Sequence, residues 1–146
     1  EAAGDDGDFD ALCQQLHRYQ ATLRTCFTLE NFDNLIKNGR MRPIVGTLLR
    51  SLGIHIIADA TAEGTIHVAD KARGVGKTYR AITALMGTSK DCTDAEVVIS
   101  HCENLEGAMA LKRQILADLP VKQVDLLSCR GLTSFYAMEK GLIVGY

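Results

Sequence analysis

From Phe9 onward, apolar residues recur at three- and four-residue steps. Phe9, Leu12, Cys13, Leu16, Tyr19 and Leu23 share one face, with Gln20 the polar member of the stripe, so the spacing predicts a helix. Asp8 or Asp10 stands where its N-cap belongs. Residues 26–29 read as a short strand. Residues 30–37 predict a second helix that turns Phe32, Leu35 and Ile36 inward, and Asn38-Gly39 stops it with glycine just past the end. Pro43 can open a third helix, residues 43–52. Gly53 closes it. The β-branched run at 54–58 is a buried strand, residues 60–64 are a turn, and residues 65–72 return as the second arm of a hairpin. Residues 78–86 are helical. Val97, Val98 and Ile99 form a short apolar strand of the kind an α/β sheet buries. Residues 105–119 alternate as an amphipathic helix with Leu105, Ala108, Leu111, Ile115 and Leu119 on one side, followed by strands at 121–127 and 141–146. Strands that alternate with helices of this length predict an α/β domain, a mixed sheet flanked by helices. Residues 1–8 are Gly/Asp-rich and read as disordered or a linker remnant before a domain at 9–146.

Composition narrows the function classes. The chain has 146 residues and is 47% apolar, enough for one real core. A net charge of −2 with 5% aromatics gives neither the basic stripe nor the stacking platform of a nucleic-acid binder. No apolar run reaches the roughly 18 residues of a membrane span, so stable membrane insertion is not expected. The five cysteines, Cys13, Cys26, Cys92, Cys102 and Cys129, are odd in number and contain no C-x-x-C pair, which fits reduced thiols packed as small apolar groups in a cytoplasmic protein. The acidic start, without Met, predicts a piece of a longer chain.

Three patterns invite chemistry. Residues 71–78, KARGVGKT, imitate a phosphate-binding loop, but Lys71 stands where that loop needs its first glycine. What remains is a group of cations, Lys71, Arg73 and Lys77, which could serve an anionic ligand or a partner. His101-Cys102-Glu103 imitates a zinc deaminase element without the downstream cysteine pair, and the four histidines lack ligand spacing, so no metal is expected. Ser100, His101 and Asn104 fall at the carboxyl end of a strand, where α/β proteins gather ligands. No nucleophile–base pair stands out, and no catalytic residue or cofactor is assigned. Arg40, just past a helix end, offers a fork-shaped cation to a carboxylate. It precedes the apolar helix bearing Ile44, Val45, Leu48 and Leu49, and an anion clamp beside an apolar wall suits a fatty acid.

The stretch Leu29-Glu-Asn-Phe-Asp-Asn-Leu-Ile-Lys-Asn-Gly-Arg40 resembles a hallmark segment of the DegV family. Lys71-Ala-Arg-Gly74, the passage from Ile99 to Gly107, and the segments from Gly131 to Tyr136 and from Gly141 to Tyr146 resemble others, in family order and spacing. The resemblance implies the C-terminal half of a two-domain bacterial protein. It implies a fatty acid held between the halves and presented to a fatty-acid kinase, with the binding protein itself not an enzyme. Ser and Thr groups of the N-terminal half would hold much of the carboxylate. Arg40 falls on the family's Gly-Arg element, Ser134 and Tyr136 fall at its head-group site, and Arg73 falls where some members dock the kinase. Residues 44, 45, 48 and 49 would line the acyl tunnel. Tyr136 stands where many members carry His, and Met41-Arg42-Pro43 departs from the usual small and polar residues. An apolar wall without its other half predicts self-association. The alternatives are a phosphate-ligand enzyme domain at the cation group and an interaction domain without ligand.

Overall fold

The computed structural model describes residues 8–41, 53–61 and 63–146. Among them, six strands and five helices follow one another as α1 (Phe9–Thr22), β1 (Thr25–Leu29), α2 (Asp33–Lys37), β2 (Ile54–Ala60), β3 (Ile66–Arg73), α3 (Val75–Ser89), β4 (Glu96–His101), α4 (Leu105–Asp118), β5 (Gln123–Ser128), α5 (Gly131–Ala137) and β6 (Leu142–Gly145). The strands form a single mixed sheet in the order β3-β2-β1-β6-β4-β5. Only β4 and β5 pair in parallel, joined through α4 as a crossover; the other neighbours are antiparallel. The expected mixed α/β architecture is therefore the one observed. The predicted helix at 43–52 lies outside the described residues.

Local chemistry explains the boundaries. Asp8 caps α1 by accepting the backbone N–H of Asp10 at 3.0 Å. The second helix begins later than its apolar pattern suggested, at Asp33, because the Asn31 side chain accepts the Asp33 N–H at 2.8 Å and holds the chain in a turn before the helix. It ends in a Schellman arrangement: Gly39 takes φ +69°, its N–H donates to the Ile36 carbonyl, and that of Arg40 reaches the Leu35 carbonyl at 2.8 Å. Leu35 is buried, and Phe32 is buried just ahead of the helix. The hairpin of β2 and β3 carries a register shift between Ile57 and Ala58.

The sheet divides the apolar residues by alternation. On one face, Cys26, Ile57, Val97, Ile99, Val124, Leu142 and Val144 pack under Ile82 and Met86 of α3 and Leu111 and Ile115 of α4, all fully or nearly fully buried. The two helices close this face except between their first turns. Leu105 falls off it: the predicted stripe of α4 starts at Ala108, and Leu105 is 54% exposed. On the opposite face, Leu29, Ile56 and Ala58 meet Phe32, Leu35 and Ala137, a smaller cluster beneath α2 and α5. Its coverage thins toward the β5 edge, where Leu127 is 55% exposed and Val98 and Ile143 are only half-buried. The helix α1 forms as its spacing predicts, but it buries no residue, and Phe9, Leu16 and Tyr19 are exposed.

The turn before β6 uses left-handed backbone without glycine. Lys140 sits at φ +65°, a conformation that costs a residue bearing a Cβ about 1–2 kcal/mol. Its ion pair with Glu30 spans 3.7 Å between exposed side chains and contributes little. Lys140→Gly is therefore expected to raise the urea midpoint by the equivalent of about 0.5–1 kcal/mol, and Lys140→Val to lower it. A loss of stability in the glycine variant would count against this reading of the turn.

Candidate functional site

Strand directions gather the predicted residues at one end of the sheet. Strands β1, β4 and β5 run the same way, since β1 and β4 are both antiparallel to β6 and β5 is parallel to β4. Their carboxyl ends therefore lie together, beside the start of β2 and the end of β3, where Ile54 pairs with Arg73. The α2 helix with Arg40 leaves the end of β1, the Cys102–Asn104 passage leaves β4, and α5 with Ser134 and Tyr136 leaves β5. Carboxyl ends of strands are where open α/β sheets bind ligands.

The α2 and α5 helices are tied directly: the Asn34 side-chain amide donates to the Phe135 carbonyl at 2.6 Å. Tyr136 is half-buried against the second cluster and meets the Phe135 ring edge-on, with centroids 5.0 Å apart and planes at 77°. Met41, next in sequence to Arg40, packs against the same cluster. Arg40 itself is exposed, and its Nη1 donates to the Asn38 carbonyl at 2.6 Å, which folds the guanidinium back over the end of α2. Ser134 is half-buried, and its carbonyl accepts the Met138 N–H. Arg73 is exposed on the edge strand β3, near Lys71 in sequence and pointing to the same face by alternation. Residues Ile44, Val45, Leu48 and Leu49 lie outside the described residues.

The phosphate-loop imitation takes a different form from a phosphate cradle. Residues 71–73 finish an edge strand, and a single glycine at φ +84°, Gly74, leads straight into α3. No loop is left to wrap an anion. The deaminase imitation likewise becomes a cap. The Asn104 Oδ1 accepts the Gly107 N–H at 3.2 Å, its Nδ2 donates to the Lys140 carbonyl at 2.9 Å, and His101 is buried beneath it. Among the described residues no three His, Cys, Asp or Glu side chains are grouped to hold a metal. No helix among them is long and apolar enough to cross a membrane.

A cleft of about 300 Å³ opens on the closed face, between the first turns of α3 and α4, with Thr28 and His55 in its lining and Glu30, Glu106 and Lys140 beside them. The Thr28 hydroxyl is buried there with no protein partner among the described residues. Burial raises the Tyr79 phenol, with the Glu106 and Glu30 carboxylates adding to it. No local pattern in the chain signals this cleft, which exists only because two helix N-termini converge across β1. The α5 helix also escapes sequence reasoning, because its seven residues carry no side-chain cap and one buried side chain, Ala137.

Known proteins share this sequence and this fold. The family model described as "uncharacterised protein, DegV family" matches residues 1–142. A DegV domain-containing protein of Streptococcus gordonii is 31% identical over 138 residues, covering 94% of this chain and 49% of its own length. The chain thus spans about half the length of the curated relatives it matches. Among solved structures, the fatty acid kinase B3 protein of Streptococcus pneumoniae, loaded with linoleic acid, superposes with a TM-score of 0.88 at 30% identity, over 96% of this chain and 50% of that one. A DegV family protein of Eubacterium eligens, loaded with heptadecanoic acid, gives 0.88 at 27% identity, over 95% and 50%. Because the family model matches residues 1–142 of the 146, the chain belongs to the DegV family.

Proposed function

We propose that this domain supplies one wall of a long-chain fatty-acid site and binds the acid without transforming it. The observation that carries the reading is one juxtaposition. An incompletely covered apolar sheet face, with Leu127, Val98 and Ile143, continues the cluster against which Met41 packs, and Met41 is next in sequence to Arg40, a carboxylate-matching cation. The fatty acids in the pneumococcal and Eubacterium relatives support it. In this reading Arg40, Ser134 and Tyr136 contact the head group. Tyr136 donates a hydrogen bond as a neutral phenol, and residues 44, 45, 48 and 49 continue the wall. The other wall belongs to the part of the relatives' length that this chain does not cover.

Arg73, exposed at the same end, is the docking contact for a cytoplasmic fatty-acid kinase that phosphorylates the presented carboxylate. In isolation the domain self-associates through its uncovered apolar surface. The test is fatty-acid titration of the full-length protein containing this domain. Leu127→Asp should weaken saturable binding at least tenfold while the domain keeps its fold, because the residue is exposed within the domain. Unchanged affinity would remove the sheet face from the site.

A further inference from the structure

We propose that Cys102 and Cys129 form a dithiol site that closes to an intramolecular disulfide when the protein meets a hydroperoxide. The two residues continue neighbouring strands. His101 of β4 is the register partner of Ser128 of β5, and each cysteine is the next residue along. The parallel ladder extends to them: the Cys129 N–H donates to the His101 carbonyl at 2.8 Å, as it does when residue 129 stands opposite residue 102. Neighbouring strands lie about 4.8 Å apart, inside the roughly 4.4–6.8 Å window of Cα separations that a disulfide bridges.

Alternation also turns both side chains to the same face, and both pack against the smaller cluster beneath α2 and α5. Cys102 is pinned on its other side as well: its N–H donates to the Gly141 carbonyl at 3.0 Å and its carbonyl accepts the Lys140 N–H at 2.8 Å. The pair is thus held in place before any reaction. Burial raises the Cys129 thiol above its ordinary range, and the neighbouring Cys102 raises it further, consistent with the short separation. Both residues keep partial exposure, whereas Cys26 and Cys92 are buried.

The chemistry balances with hydrogen peroxide as oxidant. One thiolate takes the terminal peroxide oxygen, the O–O bond breaks, and water leaves after protonation, giving a sulfenic acid. The second thiolate attacks that sulfur, the S–S bond forms, and the S–O bond breaks to release a second water. Sulfur is oxidised and peroxide oxygen is reduced. The product staples the start of α5 to the passage before α4, at the sheet end described above. No ligand is needed for the reaction.

The test is stoichiometric hydrogen peroxide on the whole chain, followed by alkylation of remaining thiols, intact mass and peptide mapping. The expected result is a denatured chain of single-chain mass that loses two of its five thiols, with the crosslink mapped between residues 102 and 129. Cys102→Ser and Cys129→Ser should each abolish the crosslink, and Cys92→Ser and Cys13→Ser should retain it. Disulfide-linked dimers through Cys13, thiol loss that survives Cys102→Ser, or five thiols still alkylated after oxidation would each overturn the assignment. Mapping on the wild-type chain decides the matter even where a serine variant folds poorly.

Discussion

Ile99→Ala should lower the stability of the domain by about 2–5 kcal/mol. Ile99 is fully buried in β4, paired with Val144 of β6 on one side and Leu126 of β5 on the other. It belongs to the larger cluster, which also contains Leu111 and Ile115 of α4. Truncation removes three carbon atoms from the middle of the sheet, where backbone ladders on both sides prevent collapse into the cavity. The lost transfer energy and the cavity add together. A single domain commonly has only about 5–15 kcal/mol in total, so a large part of its stability is at stake. Urea unfolding checks this: the midpoint should fall with the slope unchanged. Leu116→Ala, on the outward side of the same α4 helix, is the control, with an expected change within about 0.5 kcal/mol. A drop below about 1 kcal/mol for Ile99→Ala would show that the closed face is not the principal core.

Arg40→Ala in the full-length protein should weaken fatty-acid binding by about tenfold to a hundredfold. Hydrogen bonds to a charged group are worth roughly 1.5–3 kcal/mol, and each step of about 1.4 kcal/mol is a factor of ten. Arg40 is well placed to supply such bonds, because the glycine turn at the end of α2 fixes its backbone and the Asn38 carbonyl engages one end of its guanidinium. Arg40→Lys should recover only part of the affinity, since lysine keeps the charge and loses the planar fork. Arg73→Ala separates the two proposed roles. It should leave fatty-acid affinity within about twofold and slow phosphorylation by the kinase, because Arg73 leaves the edge strand β3 while Arg40 follows α2. Equal loss of fatty-acid affinity in both variants would mean that the cations act only through long-range attraction.

Much of this fold was legible from local pattern. The strands at β2, β4 and β6 and the helices α1 and α4 follow from periodicity, and the stop at Gly39 follows from a glycine whose positive φ the structure bears out. Pairing was less legible. Nothing local announces that β6, last in sequence, inserts between β1 and β4 and runs antiparallel to both. That arrangement is a tertiary outcome, and it decides which loops share an end. The apolar stripe of α1 shows the limit of a periodic signal: it specifies a helix, but not what covers the stripe. The candidate site was legible through resemblance more than through chemistry, since Arg40, Ser134 and Tyr136 are far apart in sequence and only strand direction brings their elements to one end. The cysteine pair was invisible for the same reason, because residues 102 and 129 become neighbours through the parallel pairing of β4 with β5.

The most direct measurement is native mass spectrometry with lipid extraction on the full-length protein containing this domain, as wild type and as Arg40→Ala. The account predicts a copurified long-chain fatty acid in the wild type and its loss in the variant. A wild-type protein that carries no fatty acid, even after incubation with mixed fatty acids, would contradict it.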